Sequence, residues 1–336
     1  VARILLTSVV DRILPPDHED LRPLRVMRRC AERDRFGAHR VAESLADADL
    51  VLFVEQRGPG LYQRPLWDHP FVRLAPDRCF AFCAIDHVVP FLPGIYPSQP
   101  AHGYRPDRHR GGHYLQGLLR PNPGPLPLAD PPRLLASFRG RFATHRIRRR
   151  LAQVAAGPRI VIENTDGAMA QERHGREFMG YGGEDVAAFY ALTRDSAFVL
   201  APRGYGASSM RLFEAMQVAR APVIIGDAWV PPVGPDWPSF SVRVREADVV
   251  GLPSLLADLE PRAAALGRAA RQAWDDWFSE EVTFHRAVEW CLAIQRERPC
   301  HEPIARWTAY ARLFDRDVLA ARARNVRARL SGRWPR

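Results

Sequence analysis

Short apolar runs rich in β-branched residues alternate along this chain with amphipathic runs of ten or more residues, and this alternation most narrows the choice of fold. "RILLTSVV" opens as a strand, the run from about Leu24 to Ala46 has helical spacing, and "LVLFVE" returns to strand. "CFAFCAI" (79–85) is another buried strand. After it, the Pro-, Gly- and His-rich stretch from Asp86 to Pro132 has little periodicity and reads as long loops. "LLASFRG" (134–140) resumes a strand, "THRIRRRLAQVA" reads as a helix capped by Thr144, and "RIVIEN" as a strand. The expected order then runs helix 184–194, strand 197–201, helix 208–220, strands 221–226 and 239–244, and helices to the end. Strands separated by helices of this length form parallel sheets covered on both faces. The fold class is α/β, with two Rossmann-like domains facing an interdomain cleft. The 336 residues suit domains 1–145 and 146–300, divided near 140–158, and a basic helical tail, 301–336.

A hydrophobic fraction of 46% and a charged fraction of 26% belong to a soluble globular protein. The net charge of +10 carries no lysine and reads as arginine bias; without interleaved aromatic and basic motifs it does not indicate nucleic acid. Residues 301–336 hold nine arginines against Glu302, Asp315 and Asp317. Such a tail is either a solvated helix face or a peripheral contact with an anionic membrane surface. No run approaches 18 apolar residues, "VARILLTSVV" lacks signal-peptide regions, and five cysteines without a CxxC fit a reducing cytoplasm. The expected location is cytoplasmic, with the inner membrane surface as the alternative.

The most informative stretch is "FVLAPRGYGASSMRLFEAMQVARAPVIIGD", Phe198 to Asp227. Ligands of parallel sheets bind outside the carboxyl ends of the strands, often at a helix amino terminus. Strand 197–201 delivers Arg203 to that edge, Gly204 and Gly206 allow close backbone approach, and Ser208 is a good helix cap. Arg203, Arg211 and the helix start suit a diphosphate, since guanidinium forks match phosphate oxygens. Glu214, one turn beyond Arg211, suits a ribose diol. The alternative for Arg211 and Glu214 is an intrahelical ion pair worth a few tenths of a kcal/mol.

The stretch 200–232, with "WPSFSVRVREADVVGLPSLL" after it and "LLASFRG", "HRIRRRL" and "PGIYPS" before it, resembles the exostosin family of glycosyltransferases in its bacterial form. The resemblance implies a single GT-B unit, a nucleotide-sugar co-substrate, no metal, no other cofactor, and inversion at the anomeric carbon. It implies that Arg203 and Arg211 meet the donor pyrophosphate and Glu214 the ribose, that Gly204, Ser208 and Ser209 shape the phosphate turn, and that Arg139 and Gly140 face the donor from a first-domain strand. The implied role is transfer of a hexosyl or glycuronosyl group, from a UDP-sugar by preference, to a saccharide or lipid-linked acceptor in bacterial surface polysaccharide synthesis. A GDP-sugar, fucosyltransferase-like enzyme and a non-catalytic scaffold subunit remain open. Oligomeric state is open too.

An inverting transfer needs a base for the acceptor hydroxyl. Asp86, after the strand "CFAFCAI", is the first candidate, Glu55 at the end of "LVLFVE" the second, and His87 the third; each has a loop role as its alternative. "DAD" at 47–49 precedes its apolar run and is not a metal motif. His102, His109 and His113 lack an acidic or Cys partner for zinc. Tyr62, Trp67, Tyr96, Tyr104 and Tyr114 can stack on sugars or fill core.

Overall fold

The computed structural model describes residues 1–336 apart from 12, 56–63, 87–88, 120–121, 130, 156, 168–182, 315, 317, 321–322, 324–325 and 328–336. It forms two compact units, Val1–Leu115 with Val230–Val233 and Glu280–Arg336, and Gln116–Trp229 with Gly234–Ser279. Each is built on a parallel sheet, as the alternation of strands and helices requires.

The first unit carries β1 (Arg3–Thr7), α1 (Arg22–Glu32), β2 (Arg40–Val41), β3 (Leu50–Glu55), α2 (Arg64–Asp68), α3 (Pro70–Leu74), β4 (Cys79–Cys83), β5 (Gly94–Ile95) and β6 (His109–Arg110). The sheet order is β2-β1-β3-β4-β5-β6, all parallel. β3 and β4 are buried along their whole length, which is why they read as unbroken apolar runs.

Helix α1 stops at Glu32, short of the expected Ala46. Gly37 takes a positive φ of 59°, and the chain turns into β2. The expected long loop from Asp86 contains β5 and β6. Two-residue strands are too short to show a period, and the polar residues around them, Ser98, Gln99, Arg108 and His109 among them, are buried.

The second unit carries β7 (Leu134–Gly140), α4 (Arg146–Val154), β8 (Ile160–Asn164), α5 (Gly183–Arg194), β9 (Ser196–Pro202), α6 (Met210–Gln217), β10 (Ala221–Ile225), β11 (Val242–Val244), α7 (Leu252–Leu259) and α8 (Ala263–Trp277). Its order is β8-β7-β9-β10-β11, again all parallel. Leu135, Phe138, Phe198, Leu200, Val223 and Ile225 from the central strands pack with Leu151, Leu252 and Leu256 from the helices.

The boundary expected at 145/146 is corrected. β7 pairs with β8 and β9, so the second unit begins near residue 116. The chain returns to the first unit with α9 (Glu280–Glu297). The start of the expected tail is docked there as well. Arg108 grips Glu302 with two bonds of 2.7 and 2.8 Å, both side chains buried, while Asp77 accepts from the Glu302 amide at 2.7 Å and from Arg298 at 3.0 Å. Among the described residues no helix is long and apolar enough to cross a membrane.

Arg220 holds the base of the second unit together. Its buried guanidinium donates to the carbonyls of Thr193, Arg194 and Ser196 after α5 and to those of Leu126 and Pro127, at 2.7–3.2 Å. Burial lowers its pKa to about 10, so it stays charged at neutral pH. Ahead of it Ala219 has a φ of 59°, and Gly267 of α8 lies so close that a Cβ there would meet the Ala219 carbonyl oxygen at 2.3 Å. Replacing Arg220 by Met strands several buried carbonyls at about 1–3 kcal/mol each. Urea denaturation of Arg220→Met should show a loss of about 3 kcal/mol or more with little change in m.

Candidate functional site

In both sheets the strand order reverses at one point, between β1 and β3 in the first unit and between β7 and β9 in the second. At such a point the connections leave in opposite directions and open a crevice at the carboxyl edge. The residues singled out from the sequence gather at these two edges, each considered within its own unit.

In the second unit, β7 ends at Arg139-Gly140 and β9 at Pro202, followed by Arg203. This corrects the expectation that Arg139 and Gly140 end a first-domain strand: they neighbour Arg203 on the same sheet. Arg139 pairs across the strands with Glu163 at 2.5 Å, and its carbonyl accepts from Arg211 Nε at 2.8 Å. Arg211 also bonds Glu214 and lies 4.4 Å over the ring of Phe189. The intrahelical ion pair is therefore present, with the Glu214 side chain 2% exposed and Arg211 19%. Arg203 turns back on its own loop, donating from Nε to the Gly206 carbonyl at 3.2 Å.

Helix α6 is capped by Ser209, one residue later than expected, and the cap residue makes no side-chain capping bond. Ser208 and Ser209 are 4% and 5% exposed, and neither hydroxyl has a hydrogen-bond partner among the described residues. A buried hydroxyl left unpaired costs about 1–3 kcal/mol. Two of them side by side at a helix start, beside two arginines, make a preformed acceptor for a polar anionic group.

Arg148 was missed as a site residue, although "HRIRRRL" was noted. From α4, which His145 and not Thr144 caps, it donates to the carbonyls of Pro202, Arg203 and Arg141 at 3.0–3.1 Å. It also lies 5.2 Å over the Phe138 ring. A Cβ on Gly204 would come within 3.2 Å of its Nη2 and one on Gly140 within 3.5 Å of its Nη1. Gly204 makes room for the guanidinium, whereas Gly140 makes room for the Phe138 ring, 2.8 Å from such a Cβ. Its signal was helical spacing alone: Arg148 shares a face with Leu151 and Ala155, which are buried.

In the first unit, Glu55 ends β3 at the reversal point. Its carboxylate accepts from the Val9 amide at 2.8 Å and the Ser8 hydroxyl at 3.1 Å, both just past β1. At 4% exposure, burial raises its pKa from 4.5 to about 7 against those two bonds. Asp86 lies just beyond β4, half-buried, and accepts from Ser98 at 3.2 Å; Ser98 in turn bonds the Tyr114 hydroxyl at 2.6 Å. His87 and Tyr62 lie outside the described residues. Tyr96 and Tyr114 are core, and Trp67 packs against Phe91 and Tyr310. In "DAD", Asp47 accepts from Ser44 in the turn before β3, and Asp49 from the Arg3 amide.

The raised pKa of Glu55 couples to stability. Above pH 4.5 the unfolded chain releases the proton while the folded chain keeps it until about pH 7. The contribution is complete below 4.5 and is lost as pH rises through 7, on the order of 3 kcal/mol in all. The stability of the native protein relative to Glu55→Gln should therefore fall across that window in urea melts and be flat above about pH 8.

Residues 130–259 match the Exostosin GT47 domain. A probable glycosyltransferase of Arabidopsis thaliana is 37% identical over 73 residues, 21% of this chain and 14% of that protein. The Exostosin-1 homolog of Caenorhabditis elegans is 34% identical over 87 residues, 25% of this chain and 23% of that protein. Drosophila melanogaster Exostosin-1 is 29% identical over 119 residues, 34% of this chain and 15% of that protein. The chain thus spans under a quarter of the length of these relatives. A crystal structure of TarM aligns over 74% of this chain and 44% of its own at 10% identity, with a TM-score of 0.34.

Proposed function

With an exostosin-family glycosyltransferase domain over residues 130–259 as premise, we propose that this chain transfers a sugar from a nucleotide diphosphate sugar to a saccharide or lipid-linked acceptor. One observation carries the reading: two buried hydroxyls without partners among the described residues, at a helix start on the reversal point of the second sheet, within the matched segment. The donor diphosphate supplies the acceptors that Ser208, Ser209 and the α6 amides lack. Arg203 and Arg211 stabilise the charge that develops on the leaving group, in place of a metal. Glu214 holds Arg211 and keeps further lone pairs for the ribose. Arg148 is a positioning residue that fixes the loop through its carbonyls.

The reaction inverts the anomeric carbon, with UDP-sugar as donor, as in bacterial surface polysaccharide synthesis. Glu55, with a pKa of about 7, is near the best value for proton transfer at neutral pH and is the preferred base of this reading. If Glu55 is the base, kcat/KM rises with pH through about 7; Glu55→Gln abolishes that rise, and Asp86→Asn leaves it. The five unpaired cysteines, four of them buried, agree with a reducing cytoplasm.

A panel of nucleotide diphosphates tests the donor. UDP should raise Tm more than GDP does, and Arg203→Ala or Arg211→Ala should lower kcat/KM by about 10²–10³-fold with transfer unchanged by chelators. A larger shift with GDP would move the donor to the fucosyltransferase-like alternative. Because Arg211 and Glu214 satisfy one another, a non-catalytic subunit would keep the same pair; absence of any nucleotide binding would favour that role.

The carboxy-terminal segment supports a peripheral membrane contact. Ile304, Trp307 and Phe314 are exposed in a stretch with nine arginines against three acids. The expected result is co-sedimentation with phosphatidylglycerol vesicles but not phosphatidylcholine vesicles, weakened by Trp307→Ser and by salt.

A further inference from the structure

His285 and Glu289 sit four residues apart on α9, and on the same face. His39, from the segment between α1 and β2, joins them, its Nε2 2.9 Å from the Glu289 carboxylate. One ligand atom from each of the three lies within 4.8 Å of the others. The His39 and His285 rings are 5.1 Å apart at 29°. Two imidazoles bound at about 2.0–2.1 Å to one tetrahedral ion have ring centres about 5 Å apart.

Among the described residues, two buried atoms at the cluster, His285 Nδ1 and Asp34 Oδ1, have no hydrogen-bond partner, while Asp34 Oδ2 holds the Gly37 amide at 3.0 Å. Phe36 stacks on His285 at 4.1 Å and carries the guanidiniums of Arg35 and Arg286 at 5.3 and 5.2 Å. None of these residues belongs to the donor loop or to the strand ends already described.

We propose that His39, His285 and Glu289 bind a divalent transition metal ion of the zinc type, which clips the segment after α1 to α9. Two imidazoles and a carboxylate are a zinc donor set, and the fourth position is left to water or Asp34. Coordination through His39 Nε2 moves the ring proton to Nδ1 and ends the 3.3 Å bond from the Ala2 amide. To reach the roughly 3.3 Å separation of a tetrahedral site, ligand atoms now up to 4.8 Å apart close by at most about 1.5 Å and the 2.9 Å His39–Glu289 pair opens by about 0.4 Å. The clip joins positions 39 and 285, which the unfolded chain holds far apart, so binding stabilises the first unit.

The test uses the full chain, stripped with a chelator and titrated with Zn2+ by calorimetry and with Co2+ by visible absorption. One equivalent should bind, Co2+ should give the intense bands of a four-coordinate site, and Zn2+ should raise Tm. His285→Ala and Glu289→Gln should each weaken binding at least tenfold and remove the rise in Tm. If His285→Ala fails to fold, Glu289→Gln and His285→Asn carry the comparison. No binding, or binding unchanged in these variants as an adventitious ion on other histidines would give, overturns the proposal. UDP binding measured in parallel reads the donor site independently.

Discussion

Guanidinium groups bonded to main-chain carbonyls hold the second unit in shape. Parallel strands end with carbonyls directed at the crevice, and loops that wrap a sheet bury more of them. This chain has no lysine, and it meets those carbonyls with arginine forks. Arg148 ties the ends of β7 and β9 at the reversal point, and Arg220 ties the opposite end through α5 and the 126–127 segment. The glycine at 204 follows from the first tie, and the closeness of Gly267 to Ala219 accompanies the second.

Arg211 is orientated by Glu214, the Arg139 carbonyl and the Phe189 ring, so its position is set before any ligand arrives. A preorganised cation costs no reorganisation during reaction. The first unit repeats the same layout with the opposite sign. At its reversal point a buried carboxylate, Glu55, takes the amide and hydroxyl that follow β1. One topology thus offers donors to an anion in one unit and a proton acceptor in the other.

The strands of both sheets were legible because buried parallel strands write themselves as apolar runs, as Leu50–Glu55 and Cys79–Cys83 do. Arg203, Arg211 and Glu214 were legible because their spacing along one strand, loop and helix fixes their neighbourhood. What was lost depends on pairing between distant segments. β7 could be read as a strand, but only its pairing with β9 shows that Arg139 belongs beside Arg203. Glu55 could be placed at a strand end, yet its partners Ser8 and Val9 lie 47 and 46 residues away and appear only once β1 and β3 are adjacent. The two-residue strands β5 and β6 carry too few side chains to leave a pattern.

The return of the chain through α9 means that the second unit interrupts the first. During vectorial synthesis the interrupting unit emerges whole, while the earlier sheet waits for a helix still inside the ribosome. Arg108 stays without its carboxylate until Glu302 has been made, so a buried cation advertises incompleteness for most of translation. The order of assembly is therefore inverted relative to the order of the genes' codons: the latter unit can be finished first, and the nascent amino-terminal sheet is the species a chaperone would meet.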